Sequence, residues 1–128
     1  MRILAVLAAV LLLAPACGHK KPTFTNGDYQ TVIDHPTKYA GAHVDLVGQV
    51  ASVARDEKGA PWLLVYVDAK HASQATIVEV PPGGNAPAER QLVHVVGTVV
   101  KGAEVPFDLG GYESAPVVLA DTVSPAAD

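Results

Sequence analysis

The sequence predicts an all-β domain, a small closed barrel entered through one short helix. Three observations carry that expectation. Five segments, 43–54, 61–69, 75–81, 91–100 and 115–123, are rich in valine, leucine and isoleucine, with aromatics in the second, and turn-forming or plain polar stretches separate them. No stretch after residue 40 repeats its apolar residues with the 3.6-residue period of a helix. Two segments, Val44-Asp45-Leu46-Val47-Gly48-Gln49-Val50 and Val93-His94-Val95-Val96-Gly97-Thr98-Val99, share the pattern V-x-(L/V)-V-G-x-V. In each, alternate residues face one side, and glycine takes a slot on that side. A glycine inside a strand marks sharp coiling, a bulge or a close backbone approach. Long bent strands of this kind turn the corners of a small barrel. The echoes lie 49 residues apart, too far for tandem hairpins or a solenoid.

The chain has 128 residues, enough for one domain and too few for a two-domain enzyme. A charged fraction of 17% and a mean hydropathy of +0.24 exclude a disordered charged tail. Part of the apolar content sits at the start, where 14 of the first 16 residues are apolar. Behind Met1-Arg2, the run from Ile3 to Leu13 has no polar side chain. As a helix it rises about 16 Å, roughly half a bilayer core, and fits the h-region of a secretory signal peptide rather than a span.

Residues 13–18 read Leu-Ala-Pro-Ala-Cys-Gly and contain Cys17, the only cysteine. A lone cysteine in an exported chain bridges to another molecule, stays free or is modified. Its placement after the apolar run resembles the lipobox of bacterial lipoproteins, although Ala14 stands where that family prefers leucine. The resemblance implies cleavage after residue 16, a diacylglyceryl group on the Cys17 thiol and acylation of its new amine. The protein is then exported, held at a membrane facing the periplasm or cell surface by several acyl chains. Residues 17–27, with His19, Lys20, Lys21 and Pro22, read as a lipid-anchored tether.

Asp28 is a plausible helix N-cap, with Tyr29, Val32 and Ile33 at helical spacing behind it, Pro36 a stop or restart, and Gly41 an end after Tyr39. The expected helical segment, about 28–40, is too short to stand alone unless Tyr29, Val32, Ile33 and Tyr39 pack on something larger. The domain expected to follow runs over 28–124, leaving 125–128 as a tail.

Beyond the individual elements, the body resembles the OB fold, a five-stranded Greek-key barrel. The closer resemblance is to OB domains of the tRNA-anticodon-binding type found in exported bacterial proteins. A helix ending in Tyr39-Ala40-Gly41 precedes the strand Val44–Val50. The same strand form recurs at Val93–Val99, and Pro116-Val117-Val118-Leu119-Ala120-Asp121-Thr122-Val123 fits P-x-(V/I/L)-x-A-x-x-(V/I). These are core and turn patterns, which speak to fold and hardly to function. The related periplasmic haem chaperones attach haem through a histidine after the last strand, where this chain has Ala120-Asp121-Thr122-Val123-Ser124. No cofactor is expected.

Chemistry-bearing patterns are sparse. Ser52, Ser73, Ser114 and Ser124 sit in no nucleophile motif, and His35, His43, His71 and His94 lack the close spacing of metal ligands. Gly83-Gly84 has no phosphate-loop context. A single-stranded nucleic-acid site would pair a cationic groove with stacking aromatics. Trp62 and Tyr66, in phase on the second strand, with Arg55 and Lys70 near its ends, are the candidate ligand-binding set, joined by Tyr112 in the 101–113 loop. The net charge of −4 opposes phosphates. The strand Pro61–Val67 is apolar on both faces, so its outer face must be covered. These readings favour a monomeric, non-enzymatic cell-envelope binding module for a protein partner or oligosaccharide. Nucleic-acid binding, or a histidine-based metal or ligand sensor or enzyme, is the competing reading.

Overall fold

Alternation of apolar and polar side chains writes the longest strand. In the computed structural model, which describes residues 22–68, 74–100 and 115–126, Val44, Leu46 and Val50 point into a core while His43, Asp45 and Val47 face out. This strand is β2 (His43–Arg55), preceded by β1 (Thr23–Phe24), a 3-10 turn at Asn26–Asp28 and α1 (Gln30–Asp34). β3 (Pro61–Tyr66), β4 (Ala75–Glu79), β5 (Leu92–Val100) and β6 (Val117–Pro125) follow. The strand order is β1-β2-β3-β4-β6-β5, and β5 pairs back onto β2 to close five strands into a barrel. β4 and β6 run parallel; the other barrel pairs are antiparallel. These are the connections of an OB-type Greek-key barrel, the predicted fold class.

β2 is long because it serves two neighbours. Residues 43–49 pair with β5, residues 49–55 pair with β3, and Gln49 faces both Leu92 and Tyr66. A strand changing partners must coil tightly, and Gly48 lies at that point. A Cβ there would sit 2.6 Å from the Tyr66 carbonyl oxygen and from Val65 Cγ1. Gly97 plays the corresponding part in β5: a Cβ would run into the Leu119 carbonyl oxygen and lie 2.8 Å from Ala120 Cα, where the β5–β6 register shifts. The two glycines picked out by the sequence echo are thus places where one strand's backbone crowds another.

The barrel interior is filled by Val44, Leu46, Val50, Leu63, Val65, Val78, Val93, Val95, Val99 and Val118. Tyr29 and Val32 pack into the same cluster, both fully buried. The Tyr29 hydroxyl lies 2.8 Å from Thr76 Oγ1, and Thr76 donates to the Pro116 carbonyl at 2.8 Å. Thr76 has one proton and gives it to Pro116, so the phenol is the donor to Thr76. A short chain of buried bonds therefore ties the helical entry to β4 and the approach to β6.

The helical segment is shorter than the expected 28–40. His35 leaves helical geometry (φ −140°, ψ 61°), as a residue before proline tends to. Turns over 36–41 then deliver the chain to β2 through Gly41, at φ 92°, whose N–H donates to the Val99 carbonyl at 2.7 Å. Tyr29, Val32, Ile33 and Tyr39 do pack on the barrel. β3, β4 and β6 also differ at their ends from the expected 61–69, 75–81 and 115–123, and Pro125, expected in the tail, completes β6.

The segment read as a tether over 17–27 is not free of the domain in its second half. Thr23–Phe24 pairs in parallel with His43–Val44, and Phe24 is buried edge-on against Tyr39. Beyond Val44, Val47 has neither β1 nor β3 alongside, and the Asn26 side chain fills that gap. Its amide donates to the carbonyls of Val47 (2.6 Å) and Val67 (3.1 Å), and its oxygen accepts from the Val47 N–H (2.8 Å). One side chain stands in for a strand residue. Replacing Asn26 with alanine removes three hydrogen bonds in a partly solvated setting. We expect a loss of about 1–2 kcal/mol in chemical denaturation, with amide exchange faster at Val47 than in the β3–β4 ladder.

Candidate functional site

The outer face of β3 and β4 is where the sequence places its ligand-binding aromatics. Trp62, Leu64 and Tyr66 alternate outward with partners Glu79, Ile77 and Ala75 on β4. Trp62, Leu64, Ala75, Ile77 and Val117 form a second buried cluster, with Ala51, Tyr66, Val100 and Ala115 packed against it. The two-faced apolar character of β3 thus produces two cores, one on each side of the sheet. It does not produce an open stacking platform: Trp62 is only 6% exposed.

The β2–β3 turn holds the tryptophan edge. The Trp62 indole N–H donates to Asp56 Oδ2 at 3.2 Å, while Asp56 Oδ1 accepts from the backbone N–H groups of Lys58 and Ala60. The Trp62 bond first, then the Ala60 bond, holds the Asp56 carboxyl below its ordinary range. Arg55, expected to offer a cation to a ligand, donates to the Gly59 carbonyl at 2.8 Å and braces this turn. Lys70 and Tyr112 lie outside the described residues, as do His71 and the 101–113 loop.

The histidines do not converge. His94, on the outer face of β5, lies 2.5 Å from Asp45 Oδ1 on β2 and forms an exposed cross-strand pair. Among the described residues, no group of three or more His, Cys, Asp or Glu side chains is arranged to hold a metal ion.

A more site-like arrangement lies where β2 changes partners. There a cleft of about 390 Å³ opens at the ends of β2, β3 and β5, with the Asn26 turn at its rim. This volume falls within the roughly 300–1,000 Å³ of small-molecule sites. Gln49, Asp68 and Gln74 provide polar groups, Val47 and Leu92 aliphatic edges, and Tyr66 an aromatic one. The coiling at Gly48 creates the opening, because β3 and β5 diverge from β2 on either side of it. Of these residues only Tyr66 belongs to the sequence-derived set. Gln49 has the appearance of an outward strand residue, and Asp68 and Gln74 of turn residues; only the strand register brings them together.

Neither the protein-family models nor the curated proteins contain a match to this sequence. Solved structures do resemble it. An OBody bound to hen egg-white lysozyme aligns with a TM-score of 0.51 at 15% identity, covering 72% of this chain and 88% of that one. A putative aspartyl-tRNA synthetase from Leishmania major Friedlin aligns with a TM-score of 0.54 at 13% identity, covering 90% of this chain but only 22% of the synthetase. At these identities the likeness is one of fold, and it agrees with the OB-type strand order.

Proposed function

We propose that this protein is a cell-envelope lipoprotein whose OB barrel is a non-enzymatic binding module for an envelope protein or oligosaccharide. The observation that carries the binding role is the cleft at the β2 crossover, where polar groups from separate chain segments meet beside exposed aliphatic surface. The OBody–lysozyme complex supports the general role, since there a barrel of this fold engages another molecule. The aromatic-plus-cation pattern of a nucleic-acid site finds no support at β3, where Trp62 is packed and Arg55 braces a turn.

The anchor at Cys17 sets where binding takes place. Thr23 is six residues beyond Cys17 and already pairs with β2. Six extended residues reach about 20 Å at most, so a lipidated Cys17 keeps the barrel close against the bilayer rather than on a long leash. Cys17→Ser is expected to move the protein to the soluble fraction or leave an uncleaved precursor. Unchanged fractionation with the membrane contradicts the anchor. For the binding role, the full chain in detergent should retain an envelope component reproducibly, and a Gln49→Ala/Gln74→Ala variant should lose it. Equal retention by both removes the cleft from the proposal.

A further inference from the structure

We infer that the cleft at the β2 crossover is a subsite for a neutral saccharide, an inference that rests on reading the barrel as a binding module. Four features of its lining select that chemistry. First, no lysine, arginine or histidine lines it among the described residues, and its one charged group is the Asp68 carboxylate. An anionic phosphate or nucleotide would meet repulsion and no counter-charge. Second, its polar groups are mainly side-chain amides. Gln49 gives one N–H to the Arg90 carbonyl at 3.3 Å, which leaves its other N–H and its oxygen to the cleft. The Gln74 amide has no hydrogen-bond partner among the described residues. An amide offers a donor and an acceptor side by side, matching adjacent sugar hydroxyls that both give and accept, while a carboxylate accepts from hydroxyls without needing a cation.

Third, the remaining surface is aliphatic and aromatic. Val47 is 40% exposed, an unusual state for valine in a strand, and with Leu92 and the Tyr66 ring it borders the cleft. A pyranose presents C–H faces as well as hydroxyls and so matches such a mixed lining; a divalent cation, which takes about six to eight oxygen ligands, does not. Fourth, Gly27 and Gly48 leave bare backbone along the wall, so that a ligand can approach the main chain closely. The Asn26 amide is committed to Val47 and Val67, so it holds the rim rather than the ligand.

Backbone amide NMR of the full chain, in a detergent without a sugar headgroup, tests this. The probes are maltose, cellobiose and chitobiose, a thymidine oligonucleotide and spermidine. We expect at least one disaccharide to shift the signals of Gln49, Asp68, Gln74 and Leu92 saturably in the millimolar range, with those of β4 and β6 little changed. Gln74→Ala and Gln49→Ala should each weaken binding about tenfold, the loss of one good hydrogen bond, while the spectrum stays dispersed and folded. If the oligonucleotide or spermidine shifts the cleft signals and no disaccharide does, the ligand class is overturned and the binding-module reading stands. If no probe shifts them, and solubilised envelope extract does not either, both fall.

Discussion

Gly97→Ala is expected to destabilise the barrel by about 3 kcal/mol and lower its melting temperature by roughly 10–20 °C. The added methyl meets backbone, the Leu119 carbonyl and Ala120 Cα, rather than the end of a pliable side chain. β5 and β6 form the barrel's longest continuous pairing, and their register already shifts beside this residue. Relief therefore requires the two strands to separate, and closure of the sheet depends on them. Gly48→Ala is the milder relative, because one of its two nearest contacts is the Val65 side chain. Thermal unfolding followed by circular dichroism measures both; a Gly97→Ala protein that melts like the parent contradicts the crowded corner.

Tyr29→Ala should cost a similar amount, about 3–5 kcal/mol, because it empties a fully buried aromatic position under the barrel. Tyr29→Phe separates packing from hydrogen bonding. It keeps the ring and removes only the donor to Thr76, whose own bond to Pro116 persists, for an expected loss of about 1 kcal/mol. The two proteins also differ in their response to alkali. Burial pushes the Tyr29 phenol from 10.0 up to about 12, against a smaller lowering by Thr76. A raised acid constant means that the unfolded chain loses this proton first. The stabilisation is complete below pH 10 and drains away as pH climbs towards 12, by about 2–3 kcal/mol in all. Other groups titrate in the same window, so the informative quantity is the difference between parent and Tyr29→Phe in urea unfolding between pH 9 and pH 12. The gap should narrow with rising pH; a constant gap contradicts a buried neutral phenol.

Particular residues show why some of this architecture is readable in the chain and some is not. The glycines at 48 and 97 announce themselves because each interrupts an otherwise unbroken inward stripe of valine and leucine, and only crowding explains an empty slot there. The apolar residues on both faces of β3 likewise foretell two buried sides. What they leave open is whether the second side meets a ligand or the protein's own side chains, since burial and binding demand the same residue types. For Trp62 the outcome is packing, sealed by Asp56. Arg55 was misassigned for a related reason: its target, the Gly59 carbonyl, belongs to a turn whose shape alternation does not specify. Asn26 left no trace at all, because a side chain that substitutes for a strand backbone has no period, and its neighbours Thr25 and Gly27 have the look of linker. The cleft is invisible for the same reason. Gln49, Asp68 and Gln74 are ordinary surface residues until the partner change of β2 draws them together.

The claim on which the biology depends is that this barrel is carried to a membrane by its first mature residue. Intact-mass spectrometry of protein extracted from the membrane fraction addresses it directly. The account predicts a chain that begins at Cys17 and carries diacylglyceryl plus an amide-linked acyl group. A mass equal to the unmodified sequence from Met1, with the thiol free to alkylate, would contradict it.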